Sequence, residues 1–186
     1  MSQSRGEEAI KTIMEGTPKP TTTGTLKLLQ MDLNNLVSVK EAAATFARQE
    51  SRLDELWNNG GTGAFLIQPS ETTAQGHEAM IGRHCIAPLL FTQLLLPQLK
   101  DAVAVQKTPG SVRVVWTSSI AADHGSEGFE PDGIDIDLLG TVNPDRQHNY
   151  AVSNLGNWFL AREMARRYSS DGILSVVQNP GNTLTN

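Results

Sequence analysis

Hydrophobic and polar residues follow two different periods along this chain. Amphipathic-helix spacing runs from Gly6 to Glu15, from Ser38 to Arg52, from Ala79 to Lys100 and from Tyr150 to Tyr168. Shorter apolar or alternating runs at residues 25–33, 53–57, 111–117 and 173–178 predict strands. Because helices and strands alternate, the pattern predicts an α/β fold in which helices cover a parallel sheet.

Composition narrows the class of protein. The chain has 186 residues and a mass of 20.2 kDa, of which 39% are apolar and 19% charged, so we expect one folded domain over residues 1–186. The net charge of −5 argues against nucleic acid or an anionic membrane as the main partner. A single cysteine, Cys85, and an amino terminus without an apolar signal core favour a cytoplasmic setting. Prolines and glutamines interrupt residues 87–99, which predicts a buried helix and no membrane span.

Several polar motifs follow the predicted strands in a fixed order. Asp32 closes the first strand, Asn58-Asn59-Gly60-Gly61 follow the second, Ser118-Ser119 the third, and Asn179-Pro180-Gly181 the last, while Tyr150-Ala151-Val152-Ser153-Asn154 begin the last long helix. In this order they resemble the motifs of the short-chain dehydrogenase/reductase family, in its branch of retinol-dehydrogenase-like and fungal biosynthetic enzymes. The resemblance covers nearly the whole chain.

The resemblance implies hydride transfer between NAD or NADP and a small-molecule alcohol or ketone, in a secondary-metabolite pathway. It implies Tyr150 as the general acid/base and Ser119 as the residue that holds the substrate oxygen. It also implies that cofactor contacts come from a set of five residues: Asp32, Asn59, Tyr150, Asn154 and Thr183. In the family, the helices that correspond to residues 79–100 and 150–168 form a dimer interface, which implies a homodimer or a heterodimer with a relative.

Asn154 stands where the family has a lysine in its Tyr-x-x-x-Lys motif. A cation about 4 Å from a tyrosinate could stabilise it by roughly 4 kcal/mol at an effective dielectric constant near 20. Asparagine carries no charge, but it can hydrogen-bond a ribose hydroxyl. We therefore expect that cofactor contact is kept and acid/base efficiency falls.

The family's first strand, its glycine-rich phosphate turn and its second strand have no counterpart before Met1. The resemblance thus predicts an incomplete Rossmann-type, doubly wound parallel sheet that lacks the first strand-helix-strand unit, truncated at both ends. The gap would lie between the strand that ends at Asp32 and the strand before Asn58. Gly60, Gly61 and Gly63 precede no helix, so they predict a loop, and the choice between NAD and NADP stays open.

These departures leave two alternatives to an active oxidoreductase: a catalytically impaired remnant that acts as an interaction subunit, and a non-redox pseudo-reductase. Further interpretations concern individual side chains and possible metal ligands. His84 falls at the family's catalytic asparagine, where a satisfied helix histidine is favoured over a proton relay. Trp57 and Trp116 are expected in the core. The histidines lack zinc-site spacing and the acidic residues of 132–137 lack EF-hand spacing, so we predict no metal.

Overall fold

A computed structural model describes residues 3–16, 24–106, 108–124 and 143–181. Its helices are α1 (Gln3–Gly16), α2 (Leu36–Gln49), α3 (Ala79–Ile81), α4 (Ala87–Leu94), α5 (Leu96–Val105), α6 (Ala121–His124) and α7 (Arg146–Tyr168). A 3₁₀ turn covers Ala64–Leu66, and a π-helical segment covers Gly82–Ile86. The strands are β1 (Glu55–Asn58), β2 (Val112–Thr117) and β3 (Ile173–Gln178). Thr183 lies outside the described residues.

The three strands form one parallel sheet in the order β1-β2-β3. Trp57 pairs with Val115 and Val115 with Val176, which fixes the register across the sheet. The predictions of strands before Asn58, at 111–117 and at 173–178 are therefore confirmed, as is the α/β class. Parallel neighbours need crossover connections, and α4, α5 and α7 provide them.

One face of the sheet and the helices share a single apolar cluster. Its buried members come from α2, α4, α5, α7 and all three strands: Val39, Ala42, Ala43, Leu56, Ala87, Phe91, Leu95, Leu99, Ala102, Val112, Val114, Trp116, Ala161, Met164 and Ile173. The Trp116 side chain is fully buried, and its indole N–H donates to Ser175 Oγ at 3.2 Å. The prediction that Trp116 lies in the core is confirmed.

The opposite face of the sheet is partly exposed within the described residues. Trp57 in β1 is 56% exposed, and Leu174 and Val176 in β3 are also accessible. The prediction that Trp57 is a core residue is wrong, because side chains alternate along a strand and Trp57 faces away from the helices. Parallel sheets are usually covered on both faces. No described strand pairs with the outer edge of β1.

Residues 25–33 do not form a strand, which corrects the prediction for that segment. Alternating residues predict a strand only where a neighbouring backbone accepts its hydrogen bonds, and no described residues pair with this segment. Leu29, Met31 and Leu33 still pack on the main core. Asp32 therefore lies in the turn before α2 and does not end a strand.

Two predicted helices differ in their details. Residues 79–100 form a broken series, in which a π-helical segment follows α3 and a 52° bend separates Ala79–Leu94 from Leu96–Val105. Pro97 explains the bend, because it stands in the first turn of α5 and cannot continue the hydrogen bonds of α4. Asn35, and not Ser38, caps α2, since its Oδ1 accepts from the Val37 N–H at 3.0 Å.

Helix α7 begins at Arg146, where Asp145 caps it, four residues before the predicted start. The amphipathic pattern places Trp158 and Phe159 on the buried side, which is wrong, because both are about two-fifths exposed, whereas Asn154 and Asn157 are 5% exposed. Hydrogen bonds explain the exchange, since both buried amides donate to backbone carbonyls, Asn154 to Tyr150 and Asn157 to Thr117.

Gly156 lies where α7 crosses the π-helical segment. A Cβ there would approach Cys85 Sγ to 2.7 Å. We expect Gly156→Ala to reduce the free energy of unfolding by about 1 kcal/mol, because overpacking of about 1–3 kcal/mol exceeds the helix propensity gained. In the background of Cys85→Ala, which removes the sulfur, we expect the same change to be neutral or stabilising. Urea unfolding of the four proteins tests this, and additive effects would contradict the contact.

Candidate functional site

A row of hydrogen bonds runs along the carboxyl edge of the sheet. The Thr117 hydroxyl, at the end of β2, donates to Asn59 Oδ1 beyond β1 at 2.9 Å. It also accepts from Gln178 Nε2, at the end of β3, at 3.2 Å. Ligands of open parallel sheets bind outside the carboxyl ends of the strands. This edge is therefore the candidate site, and the exposed Asn59 lies on it.

The two serines after β2 have different surroundings. Ser118 is buried, and its hydroxyl donates to the Asn154 carbonyl at 2.8 Å, which ties the end of β2 to α7. Ser119 is half-buried at the start of α6, where its Oγ accepts from the Ala121 N–H at 3.2 Å. An accepting hydroxyl keeps its own proton for a further acceptor. Of the two, Ser119 is the serine that can donate to a ligand.

Tyr150 and Asn154 lie one turn apart on α7. The Tyr150 ring is half-buried and packs on the small cluster of Ile67, Ala79 and Met80. None of the described residues hydrogen-bonds its hydroxyl. Asn154 instead turns inward, and its Nδ2 donates to the Tyr150 carbonyl at 2.8 Å. The contact of Asn154 with the cofactor stays a prediction.

His84 lies in the π-helical segment beside Tyr150, with ring centroids 5.9 Å apart and planes at 83°. Its Nε2 accepts from the Thr62 N–H at 2.9 Å, so the ring proton is assigned to Nδ1. Nδ1 then donates to Ser153 Oγ at 2.8 Å, and this hydroxyl donates to the Tyr150 carbonyl at 2.9 Å. The interpretation of His84 as a satisfied, buried histidine is confirmed.

Burial lowers the pKa of His84 to about 4, and the positive charge of Arg83 acts in the same direction. Burial likewise raises the pKa of the Cys85 thiol to about 12, with the Glu78 carboxylate acting in the same direction. The thiol donates to the Ser153 carbonyl at 3.1 Å. Both groups are therefore uncharged at neutral pH.

The pKa of His84 predicts an acid-sensitive fold. Between about pH 6.5 and pH 4 the unfolded chain takes up a proton that the folded chain does not, so stability falls as pH falls through this window. The expected loss is about 3 kcal/mol, from a pKa difference of about 2.5. Urea unfolding at several pH values measures it. His84→Phe is expected to lose this part of the pH dependence and the exposed-site control His77→Phe to keep it; equal profiles would contradict the prediction.

Asp32 reaches the same edge through the turn before α2. Its carboxylate is exposed and accepts from the Asn34 N–H at 2.9 Å, while its own N–H donates to Ser38 Oγ at 3.0 Å. A Cβ on Gly60 would lie 3.0 Å from Leu33 Cδ1, so this turn lies directly against the loop after β1. The structure thus brings Asp32 near Asn59, although it ends no strand.

An ionic contact holds the loop between β1 and α3 against the turn of Asp32. Arg83 pairs with Glu71 and donates from Nη2 to Asn34 Oδ1 at 2.9 Å. Hydrogen bonding from the Gln68 N–H and from Arg83 lowers the pKa of Glu71, so the pair stays ionised at neutral pH. Arg83 therefore joins the loop that contains Glu71 to the turn that contains Asp32 and Asn34.

Sequence reasoning missed several residues of this edge. Thr117 bonds Asn59 across the strand ends and accepts from Asn157 of α7 at its carbonyl, while Ser153 bonds His84 and the Tyr150 carbonyl. None of the three stood out from its neighbours in the sequence. On α7 the available signal was the polar residues Ser153, Asn154 and Asn157 within a segment predicted to be amphipathic. The described residues contain no group of three or more His, Cys, Asp or Glu side chains placed to hold a metal ion.

Comparison with known proteins gives the class. No family model matches the chain. A curated short-chain dehydrogenase/reductase of Pestalotiopsis fici, iacJ, is 45% identical over 185 residues, 99% of this chain and 55% of the relative. Another, sthC of Phaeosphaeria nodorum, is 41% identical over 177 residues, 93% of this chain and 54% of the relative. The NADPH-bound carbonyl reductase of chicken fatty liver superposes with a TM-score of 0.64 at 24% identity, over 100% of this chain and 69% of that one.

The parallel sheet and the polar carboxyl edge define a Rossmann-type α/β protein, which confirms the predicted fold class. The chain belongs to the short-chain dehydrogenase/reductase family, as its motifs predicted. It spans about half the length of the curated relatives that it matches. No single described helix is long and apolar enough to cross a membrane, although the bent pair Ala79–Leu94 and Leu96–Val105 together reach that length and composition.

Proposed function

We propose that this chain carries the catalytic half of an NAD(P)-dependent oxidoreductase that interconverts an alcohol and a carbonyl group on a small-molecule substrate. One observation carries the proposal: the half-buried Tyr150 lies one helical turn from Asn154, whose carbonyl binds Ser118 just beyond β2, and no described residue bonds the Tyr150 hydroxyl. A phenol in such a position can exchange a proton with a substrate oxygen. The curated relatives named as short-chain dehydrogenase/reductases support the same activity.

A dinucleotide, when bound, would supply or accept the hydride. Tyr150 transfers the proton to or from the substrate oxygen, and Ser119 holds that oxygen by donating its O–H, for which no acceptor occurs among the described residues. Asp32 and Asn59 are both exposed and lie on neighbouring loops. In the proposed function both would contact the cofactor. These exposed polar groups on one edge fit a dinucleotide. Asn154, whose Nδ2 donates to the Tyr150 carbonyl, would contact a ribose hydroxyl, and Thr183 remains a prediction from the family motif.

NADP or NAD is the proposed cofactor, and the superposed carbonyl reductase binds NADPH. Titration calorimetry with NADPH and NADH tests this on the chain as it stands. We expect binding at or below about 1 mM, weakened by Asn59→Ala at the exposed edge and not by the exposed control Gln49→Ala on α2. The absence of binding of both dinucleotides at about 1 mM would contradict the cofactor assignment.

We further propose a dimer that pairs through α4 and α7, with a second copy or with a relative. Both helices expose large apolar side chains, Leu89 and Leu94 on α4 and Trp158 and Phe159 on α7. We also propose that the protein acts in a secondary-metabolite pathway and in the cytoplasm. Light scattering of the unmodified protein is expected to give twice the chain mass of 20.2 kDa. The double variant Trp158→Ser, Phe159→Ser is expected to give the mass of one chain. A monomeric unmodified protein would contradict the homodimer.

A further inference from the structure

His84 joins two segments that are far apart in the sequence. On one side, the loop Gly60–Gly63 binds the imidazole through the Thr62 N–H, which donates to Nε2 at 2.9 Å. On the other side, Nδ1 donates to Ser153 Oγ at 2.8 Å, and Ser153 Oγ donates to the Tyr150 carbonyl at 2.9 Å. One ring therefore connects the loop that follows β1 to the helical turn that carries Tyr150.

The loop is shaped to receive this ring. A Cβ on Gly61 would lie 2.8 Å from both Cδ2 and Nε2 of His84, closer than a side-chain carbon normally approaches. Two residues later, a Cβ on Gly63 would meet Leu66 Cδ1 at 3.7 Å, which is an ordinary contact. Among the glycines of this loop, only Gly61 packs closely against His84.

The connection depends on a neutral ring with one tautomer. Nε2 can accept from Thr62 only when it carries no proton, and burial keeps the pKa of His84 at about 4. The ring also meets the Tyr150 ring edge to face. The backbone carbonyl and the ring of Tyr150 are therefore both held from the side of His84.

We propose that His84 is a positioning residue for Tyr150, which holds the Tyr150 turn of α7 at a fixed spacing from the loop Gly60–Gly63. This loop begins directly after Asn59, the proposed cofactor contact, so the same ring sets the spacing between the cofactor side and the acid/base side of the edge. The inference rests on the proposed function only for its effect on turnover. The coupling between loop and helix is a property of the chain itself.

The coupling can be measured without turnover, because the chain contains only two tyrosines, Tyr150 and Tyr168. Selective ¹³C labelling of tyrosine gives two ring signals, which Tyr168→Phe assigns. Hydrogen exchange of the Thr62 amide reports the loop. Gly61→Ala and His84→Phe break the connection from its two ends, and Gly63→Ala is the matched control in the same loop. His84→Gln retains one acceptor and one donor.

We expect Gly61→Ala and His84→Phe to move the Tyr150 ring signal and to accelerate Thr62 exchange by about tenfold. Gly63→Ala is expected to change neither, His84→Gln to restore part of the protection, and core amides of β2 to stay protected in all variants. A Tyr150 signal that stays in place in both disruptive variants, or moves equally in Gly63→Ala, would overturn the proposal.

Kinetics of the same variants separate this inference from the proposed function. If Tyr150 is the acid/base, His84→Phe lowers kcat by about tenfold and leaves KM unchanged, because the ring positions the phenol and does not bind substrate. A lowered kcat with recovery in His84→Gln supports positioning. Coupling detected by NMR while Tyr150→Phe leaves turnover intact supports the connection and contradicts the proposed function.

Discussion

Replacement of Tyr150 by phenylalanine is expected to lower kcat by about 10²- to 10⁴-fold, the range that a positioned acid/base contributes. The substitution removes only the hydroxyl, which no described residue bonds, so the ring keeps its packing on Ile67 and Met80. Steady-state kinetics with NADPH and a carbonyl substrate measure the loss. We expect the free energy of unfolding to change by less than about 0.5 kcal/mol.

Tyr168→Phe provides the matched control for this experiment. Tyr168 ends the same helix, and its hydroxyl lies 3.5 Å from Gln93 Oε1, away from the carboxyl edge of the sheet. It is expected to keep full turnover. If both variants retained activity, Tyr150 would not be the acid/base, and the non-redox or interaction roles that the Asn154 departure left open would gain support.

The strands that the sequence predicted correctly are those that find a partner in the sheet. The β-branched run at 112–117 and the run at 173–178 form strands because each finds a parallel neighbour in the sheet. Residues 25–33 show an equally regular alternation, yet no described backbone pairs with them. A strand is thus a property of two segments, and the periodicity of one segment cannot show whether the second is present.

Helix α7 illustrates a related limit at the site itself. The motif identified Tyr150 and Ser119, because their residue types and order match the family. The motif did not predict that Asn154 and Asn157 would be buried while Trp158 is 42% exposed. Burial of the amides depends on acceptors brought by distant segments, such as the Thr117 carbonyl, 40 residues away in the sequence.

The exposed sheet face and the unpaired edge of β1 are both surfaces of the sheet that the described residues leave uncovered. Parallel strands are buried-type elements, and Leu56 of β1 is already covered by the helices while Trp57 is not. A chain that spans about half of its curated relatives buries one face of this sheet with its own described helices. The candidate site does not need the other face, since its hydrogen bonds run along the carboxyl edge and into α7.

Asn154→Lys places a positive charge one helical turn from Tyr150, and we expect it to raise kcat at neutral pH by at least about a hundredfold. An ammonium about 4 Å from the phenolate would contribute roughly 4 kcal/mol to its stability at an effective dielectric constant near 20, and only part of this is needed. The substitution gives up one hydrogen bond, from Asn154 Nδ2 to the Tyr150 carbonyl. The Ser118 contact to the Asn154 backbone carbonyl is unaffected by the side chain.

Asn154→Met separates charge from size, because methionine has nearly the length of lysine and no charge. We expect it to leave kcat low, and we expect the gain of Asn154→Lys to disappear when Tyr150→Phe is added, since the ammonium acts through the phenolate. The pH-rate profile of the lysine variant should also extend its active range to lower pH than that of the parent. A lysine variant no faster than the methionine variant would mean that the lack of a charge at residue 154 does not limit turnover. That result would support the alternative of a catalytically impaired remnant that acts as an interaction subunit.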